Sequence, residues 1–388
     1  MAEKKVVDFS KQKKKKTAIK ILKKLRVPIA LLLAVIIFFI SFAAVGATRR
    51  SNLADVFKTL PSSFGDNLGY PYKEDELSLS RMLLVGDKPL VVTSTGVEVL
   101  SSTAATLLDL HLEWGDTKAI SNNGRAFVFS NTSNKSYLIS RTSVLDEFES
   151  DGPIITGTVN KKGCVAFANK VENAQCLVNI YSTKHVNTFA WECSEDYVSS
   201  LSLSSNGKKI VVAAIGAENA ELYSRILLFK ANGEDSEFDV KFPGTTILKV
   251  FYSSRNKIIA VGDNKTIILN SSGEQIDEIP YSDDSLFAVD SDKNGNVLLC
   301  YKEFGGSKVK IVRIPKSGKS NKSFDIDYLP DCVDLSSNRV LAAVDNEVSL
   351  YSFGGVVKKS YDCDGYVSEA YVTSNGIYTV ENGTICKY

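Results

Sequence analysis

The sequence predicts an all-β chain: an eight-bladed β-propeller of four-stranded blades, preceded by one N-terminal transmembrane helix. Three observations predict it. Residues 27–48 are apolar and carry no charge. Beyond residue 74, apolar runs of five to eight residues, rich in Val, Ile, Tyr and Phe, alternate with turn clusters. Those clusters recur in register, as SNNG (121–124), NKKG (160–163), SSNG (204–207), SSRN (253–256), DKNG (292–295), SSN (336–338) and TSNG (373–376). Their mean spacing of 42 residues is the length of a four-stranded propeller blade.

The elements follow in order. The 388 residues carry 46 Lys and Arg against 45 Asp and Glu, but the balance conceals a split. Residues 1–26 hold 11 basic residues and two acidic ones, which leaves the remainder at net −8. Residues 1–26 therefore read as a basic cytoplasmic tail. Residues 27–48 are long enough as a helix to cross a bilayer core. The lysines crowd one flank, so the positive-inside rule places the tail in the cytoplasm and the rest of the chain outside the cell. Val45, Gly46 and Ala47 also satisfy a small-residue cleavage rule, but the long apolar run and long leader favour an uncleaved anchor. Residues 49–73 read as a juxtamembrane linker. Leu53, Val56, Phe57 and Leu60 form a short helical stripe ended by Pro61.

Residues 74–388 read as the propeller. VSSLSLS, KKIVVAAI, YSRILLFK and SEFDVKF, within 198–242, give the four strands of one blade, A to D from the inside out. The chain ends with only three such strands, EAYVTS, GIYTVEN and GTICKY. The missing outer strand is expected from residues 74–80, so that the first blade starts at RMLLVGD and the ring closes without an unpaired edge. A seven-bladed count follows if the weak unit near 80–113 is not a blade.

The Lys-rich start and single anchor, the segment SSFGDNLGYPY and the stretch WECSEDYVSSLSLSSNGKKIVVAAI resemble a family of membrane-tethered β-propellers of unknown function from Gram-positive anaerobes. The repeat also looks like the wider WD40-like and quinoprotein-like propellers. It departs from them in having no Trp-Asp dipeptide, and neither Trp114 nor Trp191 recurs at a docking position. The resemblance implies the propeller fold and supplies no catalytic residues.

No motif of a serine hydrolase, zinc protease, P-loop or CxxC redox centre occurs, and His111 and His185 fall in different blades. No cofactor and no nucleic-acid partner are expected. The string DSDKNG at 290–295 opens like a calcium loop, with Asp290, Asp292 and Asn294 as weak metal candidates. Position 12 would be Tyr301, and the string falls where other blades turn from A to B. Of seven cysteines, Cys176 and Cys193 are the expected near neighbours; buried free thiols are favoured over a disulfide.

Charge segregates by loop type. In a propeller the D–A and B–C loops share one face, and the A–B and C–D loops share the other. The first face receives Asp116, Asp151, Asp196, Asp283, Asp284, Asp331 and Asp364, the expected binding face. The second receives Lys161, Lys162, Lys208, Lys209 and Arg339, expected to look back at an anionic membrane. Solubilising loop charge is the plain alternative. The resulting expectation is a single-pass membrane protein that displays a non-catalytic binding or scaffold module for an envelope protein, peptide or wall polymer. The alternatives are a ligand-binding envelope sensor, or a carbohydrate- or peptide-active enzyme with carboxylates at the channel mouth.

Overall fold

Eight four-stranded antiparallel sheets are arranged as a closed ring in the computed structural model, which describes residues 69–388 apart from 74–78, 80, 254, 283–284, 304, 307, 320 and 337–338. These residues belong to one compact unit, Phe57–Tyr388. The basic tail, the apolar segment 27–48 and the linker as far as residue 68 lie outside the described residues. Among the described residues no helix is long and apolar enough to cross a membrane.

Blades 1 to 7 each use continuous chain, beginning at Arg81, Lys118, Ile154, Tyr197, Ile247, Leu286 and Cys332. Their period-2 patterns explain the layering. In blade 4 the B strand (Lys209–Glu218) is buried without a break from Ile210 to Ala214, whereas the outer strand (Ser236–Pro243) alternates strictly between half-buried and exposed. The A-to-B turns require positive φ, and the sequence supplies Asn123, Gly163, Gly207, Asn256 and Gly295 there.

The ring is held by eight apolar clusters, one at each seam between neighbouring blades. The last seam joins the two ends of the body: Met82, Val91 and Leu100 of blade 1 pack with Tyr378, Val380 and Ile385 of blade 8. Blade 8 takes its outer strand from the N-terminal side, as expected, but from a different segment. Tyr72 and Lys73 pair antiparallel with Ile385 and Thr384. The segment expected to pair was 74–80, of which only residue 79 is described. Aromatic anchoring decides the position. Tyr70 packs edge-on against Tyr378, and Tyr72 donates a hydrogen bond to Glu98 of blade 1. ELSLS carries no aromatic side chain, and its Leu79 packs against the same seam from outside the strand. Running parallel to the other outer strands, Tyr72–Lys73 starts on the A–B/C–D face, so the chain arrives at the propeller from that side.

Candidate functional site

Three regions collect the polar and exposed groups of the propeller: the central channel and the two loop faces. The channel is lined by the A strands, whose inner edges have no strand partner. Among the described residues, side chains of the preceding blade satisfy free backbone donors at four of the eight seams. Ser200 and Ser202 accept from the N–H groups of Val250 (3.1 Å) and Tyr252 (2.9 Å). Around the ring Asp290 accepts from Leu335 (2.6 Å), Asp334 from Val372 (2.9 Å) and Glu369 from Met82 (2.5 Å). These carboxylates tie blade 6 to 7, 7 to 8 and 8 to 1.

Burial in the channel wall raises the pKa of all three. Glu369 is pushed up to about 7, opposed by the Met82 N–H and the Arg81 guanidinium. Asp334 is raised well above the ordinary carboxylate range by burial and by the charge of Asp290. Lys249 also lines the channel, with its ammonium 5.3 Å from the Phe251 ring centroid. It is open to water yet enclosed by the ring, and that enclosure lowers its pKa. Of the channel acids the sequence singled out Asp290 alone, as a metal candidate; Asp334 and Glu369 were not singled out. Their signal was an acid embedded in an apolar inner strand, in LFAVDS, CVDL and VSEAYV.

The candidate calcium string divides between two tasks. Asp290 reaches across to blade 7, as above. Asp292 Oδ1 accepts from the N–H groups of Asn294 (2.8 Å) and Asn296 (3.0 Å), closing the A–B turn. Among the described residues no group of three or more His, Cys, Asp or Glu side chains is arranged to hold a metal ion. His185 Nδ1 lies 2.9 Å from Asp146, and His111 is exposed on the outer strand of blade 1. Cys176 and Cys193 sit directly opposite each other in blade 3, both buried and both free thiols.

On the D–A/B–C face Asp151, Asp331 and Asp364 are exposed, and Asp116 is half-buried beside Lys118. Asp151 lines an open cleft of about 550 Å³ with Glu113, Trp114 and Asn134. Asp283 and Asp284 lie outside the described residues. Asp196 corrects the expectation of a surface charge: it is 1% exposed and serves as a structural acceptor. Tyr223 donates to its Oδ1 (2.8 Å) and Arg225 to its Oδ2 (2.8 Å), while the same guanidinium also binds Asp239.

This buried network props an element the sequence reading passed over. The B and C strands of blade 4 run ten residues each, Lys209–Glu218 and Glu221–Lys230, whereas the other B strands have five or six. Their hairpin therefore rises from the D–A/B–C face by about four residues, roughly 13 Å. Glu218 and Glu221 flank its tip, and Lys241 ties the outer strand to Glu218. Gly216 is required at its base, because a Cβ there would lie 2.2 Å from Asp196 Oδ1 and 2.5 Å from the Tyr223 ring.

Large apolar side chains are exposed on both faces. Ten large apolar side chains are exposed among the described residues, and six of them lie on this one face: Tyr197, Leu222, Leu248, Phe287, Leu329 and Tyr366, each between 43% and 65% exposed. Leu248 and Phe287 occupy β-bulges at the start of the A strands of blades 5 and 6. A bulge re-aims its extra residue out of the regular pleat. Leu222 is at the raised hairpin. Tyr366 is fixed by donating to Asp331 Oδ1 (2.9 Å). Four of these residues sit at strand ends and two in loops, and together they gave no periodic signal in the sequence.

The opposite face keeps its basic character. Lys161, Lys162, Lys208 and Arg339 are exposed. Lys209 is half-buried and shares Glu237 with Lys230. Lys208, Lys209 and Lys230 line a cleft of about 380 Å³ between blades 4 and 5, with Asn206, Asn232 and Asn256. Arg125, just after the A–B turn of blade 2, is 4% exposed and packs beneath Gly163.

A closed ring of eight four-stranded sheets with channel-lining inner strands defines the class: an eight-bladed β-propeller with two chemically distinct faces. The chain belongs to the family of unknown function DUF5711, whose model matches residues 71–387. No curated protein sequence matches it. Among solved structures it is similar to BamB from Moraxella catarrhalis, at 9% identity and TM-score 0.50, over 82% of this chain and 100% of that one. It is also similar to Sqt1 from Saccharomyces cerevisiae, at 9% identity and TM-score 0.58, over 84% of this chain and 99% of that one. Both likenesses are likenesses of fold.

Proposed function

We propose that the protein is a membrane-anchored, extracytoplasmic propeller that acts as a non-catalytic binding module for an envelope component. Its basic face is turned to the membrane and its acidic face outward. The observation that carries this reading is the segregation of exposed groups. One face gathers acidic side chains with six of the ten exposed large apolar ones, and the other gathers lysines and arginine with the remaining four. The chain's arrival on the basic side, at Tyr72, supports the orientation, since the apolar segment 27–48 precedes it. Surface attraction is screened over about 8 Å at physiological salt, so the basic face contributes only on close approach.

Thiol labelling of intact cells tests the reading. The native cysteines are buried or half-buried, so Asn173→Cys on an exposed loop and Ala2→Cys in the tail supply the reporters. A membrane-impermeant maleimide is expected to label Asn173→Cys in intact cells and Ala2→Cys only after permeabilisation. The reverse pattern would overturn the topology. For the full chain in liposomes, energy transfer from a dye at Asn256→Cys to an acceptor lipid should be stronger with anionic lipid and weaken with salt. Charge reversal at Lys161, Lys162 and Lys208 should abolish that difference. Transfer independent of lipid charge would reject the orientation.

A further inference from the structure

We infer that the D–A/B–C face, between the raised hairpin of blade 4 and the D–A loops of blades 7 and 8, docks a polypeptide segment that combines lysine or arginine with large apolar side chains. This inference rests on the reading that this is the binding face, and it adds the chemistry of the partner.

The apolar anchors come first. Leu248 and Phe287 belong to adjacent blades and sit at matching bulges, so they are neighbours on the rim of the channel. Tyr197 flanks them from blade 4, at the start of its A strand, and Tyr366 from blade 8. Leu222 stands on the hairpin, and its backbone carbonyl accepts from Gly244 in the loop that leads to Leu248. Neighbouring exposed apolar side chains rimmed by polar groups mark an interaction site.

The rim then selects the partner. Glu195, Glu218, Glu221, Asp331, Asp345 and Asp364 are exposed around these anchors. The described basic residues exposed at the same end of the sheets include Lys170 and Lys308 in loops and Arg81, Lys135, Lys241, Lys249 and Lys302 at strand ends; Arg81, Lys135, Lys241 and Lys308 are each paired with an acid. An acidic rim around apolar anchors complements a cationic segment that also buries apolar side chains, and repels an acidic one. It equally disfavours an anionic lipid surface. A second copy of this chain would bring like charge against like charge if the same face were used on both.

The surface is also held ready. The Asp196–Arg225–Asp239 network fixes the base of the hairpin, and Asp331 fixes the Tyr366 ring by accepting its hydroxyl proton. Pre-set anchors reduce the ordering cost of binding.

Selection of a random 12-residue peptide display library against the purified full chain in detergent tests the inference. Enriched peptides should carry a net positive charge together with Leu, Phe, Tyr or Trp. Their affinity should fall at least tenfold for the full chain bearing Leu248→Ser and Phe287→Ser, and by less than twofold for Val356→Ser with Val357→Ser on the other face. Raising salt from 0.15 to about 0.5 M should weaken them severalfold. Both exposed pairs are outside the apolar seams, so circular dichroism and melting of the variants should match the parent. No enrichment, enrichment of neutral or acidic peptides, or binding indifferent to Leu248 and Phe287 would overturn the inference. So would sedimentation showing that this face instead pairs two copies of the chain, with the dimer lost in the Leu248/Phe287 variant. The selection uses purified protein, so its outcome is separate from the labelling of intact cells that tests topology.

Discussion

Truncating Tyr70 should open the ring at its seam. The Tyr70 ring is half-buried against the cluster that joins blades 8 and 1, edge-on to Tyr378 with centroids 5.3 Å apart. Its hydroxyl donates to the carbonyl of Ser101 at 2.8 Å, across the seam into blade 1. Tyr70→Ala forfeits about 2 kcal/mol of apolar burial, about 1 kcal/mol of aromatic pairing and about 1 kcal/mol of hydrogen bond. The expected loss is about 3–4 kcal/mol, in the range for removing a large aromatic side chain. Tyr70→Phe removes the hydroxyl alone and should cost about 1 kcal/mol. Urea unfolding of the full chain in detergent, followed by tryptophan fluorescence, reads both. Trp114 and Trp191 pack at the seams of blades 1 and 2 and of blades 3 and 4, away from the mutation, so they report whether the ring fails as a unit. With an m-value of a few kcal/mol/M, Tyr70→Ala should lower the midpoint by about 1 M. An unchanged midpoint would refute the claim that the N-terminal strand closes the ring.

Three further outcomes follow. The folded Glu369 carboxyl keeps its proton up to about pH 7, whereas the unfolded chain loses it near 4.5, so the native state binds more protons between those values and stability falls as pH rises through that window. Glu369→Gln should leave stability at pH 5 nearly unchanged and raise it at pH 8 by roughly 2 kcal/mol, the full shift being discounted for the quarter of the side chain that water reaches; equal effects at both pH values would contradict this. Gly216→Ala should drive Asp196 and Tyr223 apart, cost about 2–3 kcal/mol in thermal unfolding and loosen the raised hairpin to proteolysis, and a variant as stable and protease-resistant as the parent would show the network is not needed. His111→Ala and His185→Ala should retain binding and lose at most about 1 kcal/mol, the worth of a surface contact such as the half-buried His185–Asp146; loss of binding in a folded variant would overturn the non-catalytic reading.

The repeat was legible in the sequence because its turns are conformationally demanding. Positive φ at Asn123, Gly163, Gly207 and Gly295 restricts those positions to residues that punctuate the chain every blade. The apolar runs between them are equally legible, because burial on both faces of a B strand needs an unbroken run such as RAFVF or VLLCYK. The closing strand was placed a few residues late. Two residues of pairing, Tyr72 and Lys73, leave almost no period-2 signal, and the determinants are the contacts of Tyr70 and Tyr72 with residues far away in the chain.

The face-by-face charge pattern was visible because loop type follows from strand order. Asp196 escaped that logic. Its burial depends on Arg225 and Tyr223 of the long hairpin, which a uniform blade template does not contain. Asp334, Glu369 and the exposed apolar residues of the acidic face escaped for another reason. Asp290, Asp334 and Glu369, or Leu248 and Phe287, are separated by about one blade each in the chain. Only ring closure brings them together around the channel and its mouth.

The most direct test of the account places a photo-crosslinking amino acid, p-benzoylphenylalanine, at single positions of the full chain in intact cells. Leu248 and Phe287 report on the acidic, apolar face, and Val186 and Val356 report on the opposite one. The account predicts a discrete adduct with an envelope component from Leu248 and Phe287 and none of the same mass from Val186 or Val356. Absence of adducts from the first pair, or the same adducts from both pairs, would contradict the claim that this face is where the propeller binds.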